Sequence, residues 1–151
     1  MNLRDALRED AERISSIAIR SKAHWEYSKE FIQACRQDLT IDENYIQNHN
    51  VFVLEEKEEI VGFFTFIRGE MDRLDFLYID PKYIGKGFGR ITWEHVIQKA
   101  QEMGVKSFTI DSDPNAKAFY EKMGAKQIGE IPSTVFKDRF LPLMKFTVED
   151  N

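Results

Sequence analysis

Apolar positions along this chain follow two periods, and each change of period marks an element boundary. Leu3 to Leu7 reads as a short first strand, with Asp10 standing where a helix N-cap belongs. Ala11, Ile14, Ile17 and Ala18 then recur at helical spacing, and Phe31, Ala34, Cys35 and Leu39 mark one face of a second helix. The period shortens in three runs, Val51 to Glu55, Ile60 to Arg68 and Arg73 to Asp80, which are rich in Val, Ile, Phe and Tyr. Charged segments at residues 56–59 and 69–72 join them, so three antiparallel strands linked by hairpin turns are expected.

Beyond Asp80-Pro81 the chain becomes glycine-rich and then helical, with Trp93, Val96, Ile97 and Ala100 forming a stripe that Gly104 ends. Lys106 to Ile110 is the next strand. A single helix separates it from the strand ending at Asp80, which predicts a right-handed crossover between parallel strands. Asp113-Pro114 opens a helix from Asn115 to Met123 that stops at Gly124, and Lys126 to Ile131 and Leu141 to Val148 complete the sheet. The expected fold is an α/β (α+β) domain: a mixed, mostly antiparallel sheet of about seven strands around a central β-loop-α-β unit, flanked by about four helices. No repeat, low-complexity tract or linker interrupts the pattern, so residues 1–151 are expected to form one domain.

Composition narrows the function. With 42% hydrophobic and 31% charged residues, 151 residues suit one globular domain that buries roughly 68–70% of its unfolded surface. Twenty-one basic against 26 acidic residues leave a net charge of −5, without the positive field that binds a phosphate backbone, so nucleic acid is excluded as the main partner. No apolar run approaches the roughly 20 residues needed to cross a bilayer, and the N-terminus has no signal-peptide core, so a cytoplasmic protein without membrane contact is expected. Cys35, the single cysteine, can form no internal disulfide and is expected to be a buried or half-buried spectator. His24, His49 and His95 are too scattered for a metal site, and no G-x-S-x-G elbow supports a serine hydrolase.

The stretch Ile84-Gly85-Lys86-Gly87-Phe88-Gly89-Arg90 lies between a strand and an amphipathic helix. Glycines at every second position remove Cβ atoms where an anion would approach the main chain, and the helix start adds unpaired N–H groups and a positive dipole end. A pyrophosphate fits this pattern, and so does a tight turn that needs glycine for positive φ. A P-loop is excluded because no glycine is followed by Lys-Ser or Lys-Thr. A dinucleotide fold is excluded because the run is G-x-G-x-G and follows several antiparallel strands.

The block from Leu74 to Pro81 leading into Gly85-Lys86-Gly87-Phe88-Gly89, together with Asp113-Pro114-Asn115-Ala116-Lys117-Ala118-Phe119-Tyr120-Glu121-Lys122-Met123-Gly124-Ala125, resembles the GNAT acyltransferase superfamily across almost the whole chain. Members of that family transfer an acyl group from coenzyme A to an amine. One departure is Ile84, where the family usually has Arg or Gln.

The resemblance implies that the strand ending near Asp80 and the one ending near Ile110 splay apart. Acetyl coenzyme A would then lie in the gap, held by the main chain of Leu77, Tyr78 and Ile79, by residues 84 to 90 and by Asn115. An amide of Leu77 or Tyr78 would stabilise the oxyanion, a contribution of about 2.7–4 kcal/mol per donor elsewhere. Tyr120 stands where the family places the acid that protonates the leaving thiolate, although its helical stripe with Ala116, Phe119 and Met123 also suits a core residue. Asp75 is a candidate base or, equally, a surface partner of Arg73; Glu26 or a water chain could serve instead.

The same resemblance places the acceptor pocket between two loops. Trp25 and Tyr27 with Glu26 could hold a cationic amine by stacking and charge, or could pack the helices. In Pro132-Ser133-Thr134-Val135-Phe136-Lys137-Asp138-Arg139, a P-S-x-x-x-x-x-R-x-L-P pattern associated with a bacterial branch of the family, Ser133 and Arg139 are candidate substrate contacts. Arg139 could fork onto an acceptor carboxylate or pair with a surface acid. The expectation is N-acetyl transfer to a small-molecule or peptide amine without a metal; the alternative is a weakly catalytic coenzyme A sensor. A homodimer is left open.

Overall fold

The strand runs assemble into one seven-stranded sheet in the computed structural model, which describes residues 1–136 and 138–149. Its order is β1 (Asn2–Asp5), β2 (Asn50–Glu56), β3 (Glu59–Ile67), β4 (Arg73–Ile79), β5 (Ser107–Asp111), β7 (Phe140–Thr147) and β6 (Lys126–Pro132). Every neighbouring pair is antiparallel except β4 and β5, as the single crossover helix between them requires. Five helices cover the sheet: α1 (Ala11–His24), α2 (Lys29–Cys35), α3 (Glu43–Asn48), α4 (Phe88–Glu102) and α5 (Lys117–Lys122).

Side-chain alternation divides the core into two layers. Leu54, Phe64, Phe66 and Leu74 pack with Trp93 and Val96 of α4, Phe108 and Met144. Val53 and Phe63, one position away on the same strands, pack with Ile14, Ile17 and Ala18 of α1 and with Cys35. Strands buried on both faces explain the near-continuous apolar run from residue 60 to 66. Each of these fully buried large side chains contributes roughly 1.5–3 kcal/mol of transfer free energy.

Several expectations change at element ends. β1 stops at Asp5, and Leu7 is exposed. Asp10 does not cap α1; its carboxylate accepts from the Leu7 amide at 2.7 Å and from Arg4 at 2.8 Å, fastening β1 to the turn that follows. α2 ends at Cys35, so Leu39 is buried outside any helix and Ala34 is exposed. The additional helix α3 is capped by Asp42, which accepts from the Tyr45 amide at 2.8 Å, and it is too short to show an apolar stripe. Asp113 caps a 3₁₀ turn, Pro114–Ala116, and the helix proper begins two residues later than expected. Cys35 is buried as expected. Lys137, in the loop read as an acceptor wall, lies outside the described residues.

Two irregularities of β4 prepare the site. Thr65 pairs with Phe76 and Phe66 with Leu74, so Asp75 is an extra residue in β4, and the Phe76 amide bonds the Thr65 hydroxyl at 3.1 Å. A bulge of this kind re-aims a side chain. On the other edge, the parallel ladder with β5 holds one register pair, Arg73 with Thr109, with the Thr109 amide donating to the Asp72 carbonyl at 3.0 Å. Beyond that point β4 and β5 separate.

Candidate active site

The gap between β4 and β5 opens into a cavity of about 310 Å³. Leu77, Tyr78 and Ile79 line one side of it and Ala116, Phe119 and Tyr120 another. The Asp80 amide donates back to Val61 of β3 at 2.8 Å, so by the two-residue period of a strand the amides of Leu77 and Ile79 face the gap. Of the two amides expected to hold an oxyanion, that of Leu77 therefore has the right direction and that of Tyr78 turns toward β3. Ser21 of α1 donates its hydroxyl to the Ile79 carbonyl at 2.8 Å and steadies this stretch of β4.

Ile84 and Gly89 bring the glycine run to the mouth of the cavity. Gly85 and Gly87 have φ of 84° and 81°, and nothing lies within 4 Å of where their Cβ atoms would be. The turn needs left-handed glycines, and the space before it is open. Among the described residues, no group accepts a hydrogen bond from the amides of residues 85–90. These donors and the start of α4 fit a pyrophosphate. Gly89 has another function, since a Cβ there would meet Cε1 of Phe119 at 3.1 Å. Lys86 lies over the Tyr83 ring at 5.6 Å, Phe88 packs edge-on against that ring, and Arg90 is exposed.

Tyr120 is 6% exposed, and its ring packs against Trp93 and Phe119. Its hydroxyl makes no hydrogen bond among the described residues, and burial, followed by the charge of Asp113, holds its pKa well above the usual phenol range. A phenol in this setting keeps its proton at neutral pH. Burial pushes the Tyr78 hydroxyl up in the same way.

A second cavity, of about 420 Å³, contains Asp75, Ser133 and Arg139 together with Tyr45 and Asp111. It shares three wall residues with the first: Lys22, Tyr78 and Asp113. The bulge turns Asp75 into this cavity, where its Oδ2 accepts from the Tyr45 hydroxyl at 2.6 Å and its Oδ1 lies 3.4 Å from Arg73. The Ser133 hydroxyl accepts from the amides of Val135 and Phe136 at 3.2 Å, which shapes the loop that carries Arg139.

Asp113 is the hub of the shared wall. Its carboxylate accepts from Lys22 Nζ, from the Tyr27 hydroxyl at 2.9 Å, and from the amide and side chain of Asn115 at 2.8 and 3.0 Å. Burial opposes ionisation there, but the hydrogen bond and charge of Lys22 more than offset it and hold the carboxyl below its ordinary range. Burial and the charge of Asp113 push the Tyr27 phenol up to about 12.

Tyr27 also accepts from Arg139 Nη2 at 2.7 Å, and its ring stacks on Phe31 with centroids 4.2 Å apart. The guanidinium of Arg139 and the ammonium of Lys22 each lie 5.3 Å from the same ring. The protein's own side chains therefore make the contacts that a stacked ligand would need. Trp25, 40% exposed, lines the first cavity, whereas Tyr27 lines neither and meets the shared wall through its hydroxyl on Asp113.

Lys22, Tyr45 and Asp111 are site residues that the sequence reading did not single out. Lys22 falls on a regular α1 face and gains its place only because α1 crosses the β4–β5 gap.

Residues 14–138 match the family described as an acetyltransferase (GNAT) domain. A peptidyl-lysine N-acetyltransferase, YjaB, of Salmonella typhimurium is 29% identical over 131 residues, covering 85% of this chain and 86% of the relative. A GCN5-related N-acetyltransferase from Rhodopseudomonas palustris superposes with a TM-score of 0.80 at 23% identity, covering 97% of this chain and 94% of that one. The PaiA N-acetyltransferase from Thermoplasma acidophilum, solved in complex with coenzyme A, gives 0.75 at 18% identity, with 97% and 98% covered. With a family match over most of its length and the sheet, gap and glycine turn in the expected places, the chain belongs to the GNAT acetyltransferase family.

Proposed function

We propose that this protein transfers an acetyl group from acetyl coenzyme A to a primary amine of a peptide or small molecule by direct attack. The observation that carries the proposal is the hydroxyl of Tyr120, which has no hydrogen-bond partner among the described residues, in a cavity that shares a wall with a second, acid-lined one. Such a donor, beside a β4 amide that faces the same gap, is what protonation of a leaving thiolate and stabilisation of an oxyanion require.

In this mechanism the amides of residues 85 to 90 hold the pyrophosphate, that of Ile84 being taken by the Pro81 carbonyl at 3.2 Å, and the main chain of Leu77 to Ile79 and Asn115 hold the rest of the coenzyme. The Leu77 amide stabilises the oxyanion. Tyr120 gives its proton to sulfur as the C–S bond breaks. Asp75 supplies negative charge that draws an ammonium into the second cavity. Nε and Nη1 of Arg139 make no hydrogen bond among the described residues and are available to an acceptor carboxylate. The peptidyl-lysine activity in the name of the Salmonella relative favours a lysine side chain among the amines. We place the reaction in the cytoplasm, where acetyl coenzyme A is made and used.

Thiol release from acetyl coenzyme A is the test, with a lysine-containing peptide, free amino acids and a polyamine as acceptors. Amine-dependent release supports the proposal. Coenzyme A binding without release above hydrolysis for any amine would make the protein a sensor instead.

A further inference from the structure

We propose that Asp111, at the end of β5, is the base that takes the proton from the acceptor ammonium. The inference rests on the transferase reading above and deepens it.

Four carboxylates line the acceptor-side cavity: Asp38, Asp75, Asp111 and Asp113. Three of them are already engaged. Asp38 accepts from the Thr134 hydroxyl at 2.5 Å, Asp75 from Tyr45, and Asp113 from Lys22, Tyr27 and Asn115. A carboxylate oxygen that already accepts from a protein donor has fewer lone pairs to offer an incoming ammonium. Asp111 differs. Among the described residues its side chain makes no hydrogen bond, and its ion-pair contact is Arg73 Nη1 at 3.8 Å.

The strand pattern explains its position. Phe108 and Ile110 face the α4 layer, so Thr109 and Asp111 face the other way, and Asp111 lines the acceptor cavity. The bulge in β4 brings Asp75 to that same side, and Arg73 lies between the two acids, 3.4 Å from one and 3.8 Å from the other.

The groups that face Asp111 across the cavity are Arg73, Asp75 and Tyr78 of β4, Lys22 of α1, Cys35 of α2 with the nearby Asp38, Tyr45 of α3, and Arg139 before β7. Asp113 lies two residues along its own chain. Burial raises the Asp111 carboxyl above its ordinary range; Arg73 opposes this and Asp75 adds to it. A base is most effective when its pKa approaches the working pH, so this environment suits the role.

The protons balance as follows. The ammonium loses one proton to the Asp111 carboxylate, and Asp111 later passes it to solvent. The nitrogen lone pair forms the C–N bond, the C–S bond breaks, and sulfur takes the Tyr120 proton. The second proton shed by nitrogen restores the Tyr120 phenol. One amide, one thiol and one released proton result.

The test compares wild type, Asp111→Asn, Asp111→Glu and Asp75→Asn in thiol release from pH 6 to 10, with calorimetry of coenzyme A binding as the check on folding. Asp111→Asn should lower kcat/KM about 10²-fold at neutral pH, with coenzyme A affinity unchanged. Its deficit should shrink steadily as pH rises toward the amine's own pKa, about 10.4 for lysine, because a free amine needs no base. Asp111→Glu should retain a wild-type-shaped profile, and Asp75→Asn should raise KM without steepening it. Wild-type turnover with Asp111→Asn within twofold, or a deficit that stays constant with pH, overturns the assignment alone. Absence of turnover by wild type with every amine overturns the transferase reading, and the base with it.

Discussion

Replacing Tyr120 with phenylalanine separates catalysis from packing because of how the side chain is held. The ring is almost fully buried, with Trp93 at 5.9 Å and Phe119 at 5.4 Å between centroids, and phenylalanine keeps both contacts. The hydroxyl makes no hydrogen bond among the described residues, so its removal leaves no described donor or acceptor unsatisfied. The expected change in stability is within about 0.5 kcal/mol, with the melting temperature equal to or slightly above that of the wild type. Loss of a general acid should lower kcat about 10²–10³-fold, equivalent to about 2.7–4.1 kcal/mol of barrier, and leave coenzyme A affinity unchanged. The phenol's pKa lies far above neutrality, so the deficit should also be uniform from pH 6 to 9. That pattern differs from the shrinking deficit expected of a missing base. Thiol-release kinetics, thermal unfolding and calorimetry on the same preparations decide the matter. A variant that melts lower but keeps its rate per folded molecule would make the hydroxyl structural and refute the assignment.

Gly87→Glu should abolish coenzyme A binding by calorimetry, because it adds a carboxylate where the pyrophosphate is expected and forces φ of 81° on a residue with a Cβ; equal affinities would place the anion elsewhere. The hairpin between β2 and β3 turns on Lys57 and Glu58, with φ of 51° and 66°, so replacement by Asn-Gly should stabilise the fold by about 1–2 kcal/mol in urea unfolding. Asp80 is 1% exposed and bonded to Arg20 at 2.9 and 3.0 Å; burial opposes its ionisation, but these bonds hold its pKa below the usual 3.8. A depressed folded-state pKa gives stability that is present above the unfolded value and lost as pH falls through the folded one, so acid unfolding below about pH 4 should be shallower in Asp80→Asn.

Legibility in the sequence followed the range of the contacts. The glycine turn lies within a local strand–turn–helix pattern whose spacing carries its geometry, whereas the roles expected of the β4 main chain and of Tyr120 come from the resemblance to the family and not from spacing. Lys22 and Asp113 are 91 positions apart and meet because α1 crosses the gap, which no local period encodes. Asp113 was readable only as a cap, and it is one, yet the same carboxylate also holds Tyr27 and Lys22. Asp111 ends an apolar strand like any solvent-side acid, and only the departure of β5 from β4 leaves it facing a cavity. Asp10 and Leu39 both serve turns: Asp10 fastens β1 to the short turn after it, and Leu39 packs into the α1 layer from beyond the end of α2.

The shared wall of Lys22, Tyr78 and Asp113 has a kinetic consequence. Under the proposed function the coenzyme and the amine enter compartments with otherwise separate linings, so both reactants should reside on the protein at once. Steady-state velocities should therefore give intersecting rather than parallel double-reciprocal lines. Spent coenzyme A should compete with acetyl coenzyme A but only lower the maximal rate when the amine is varied.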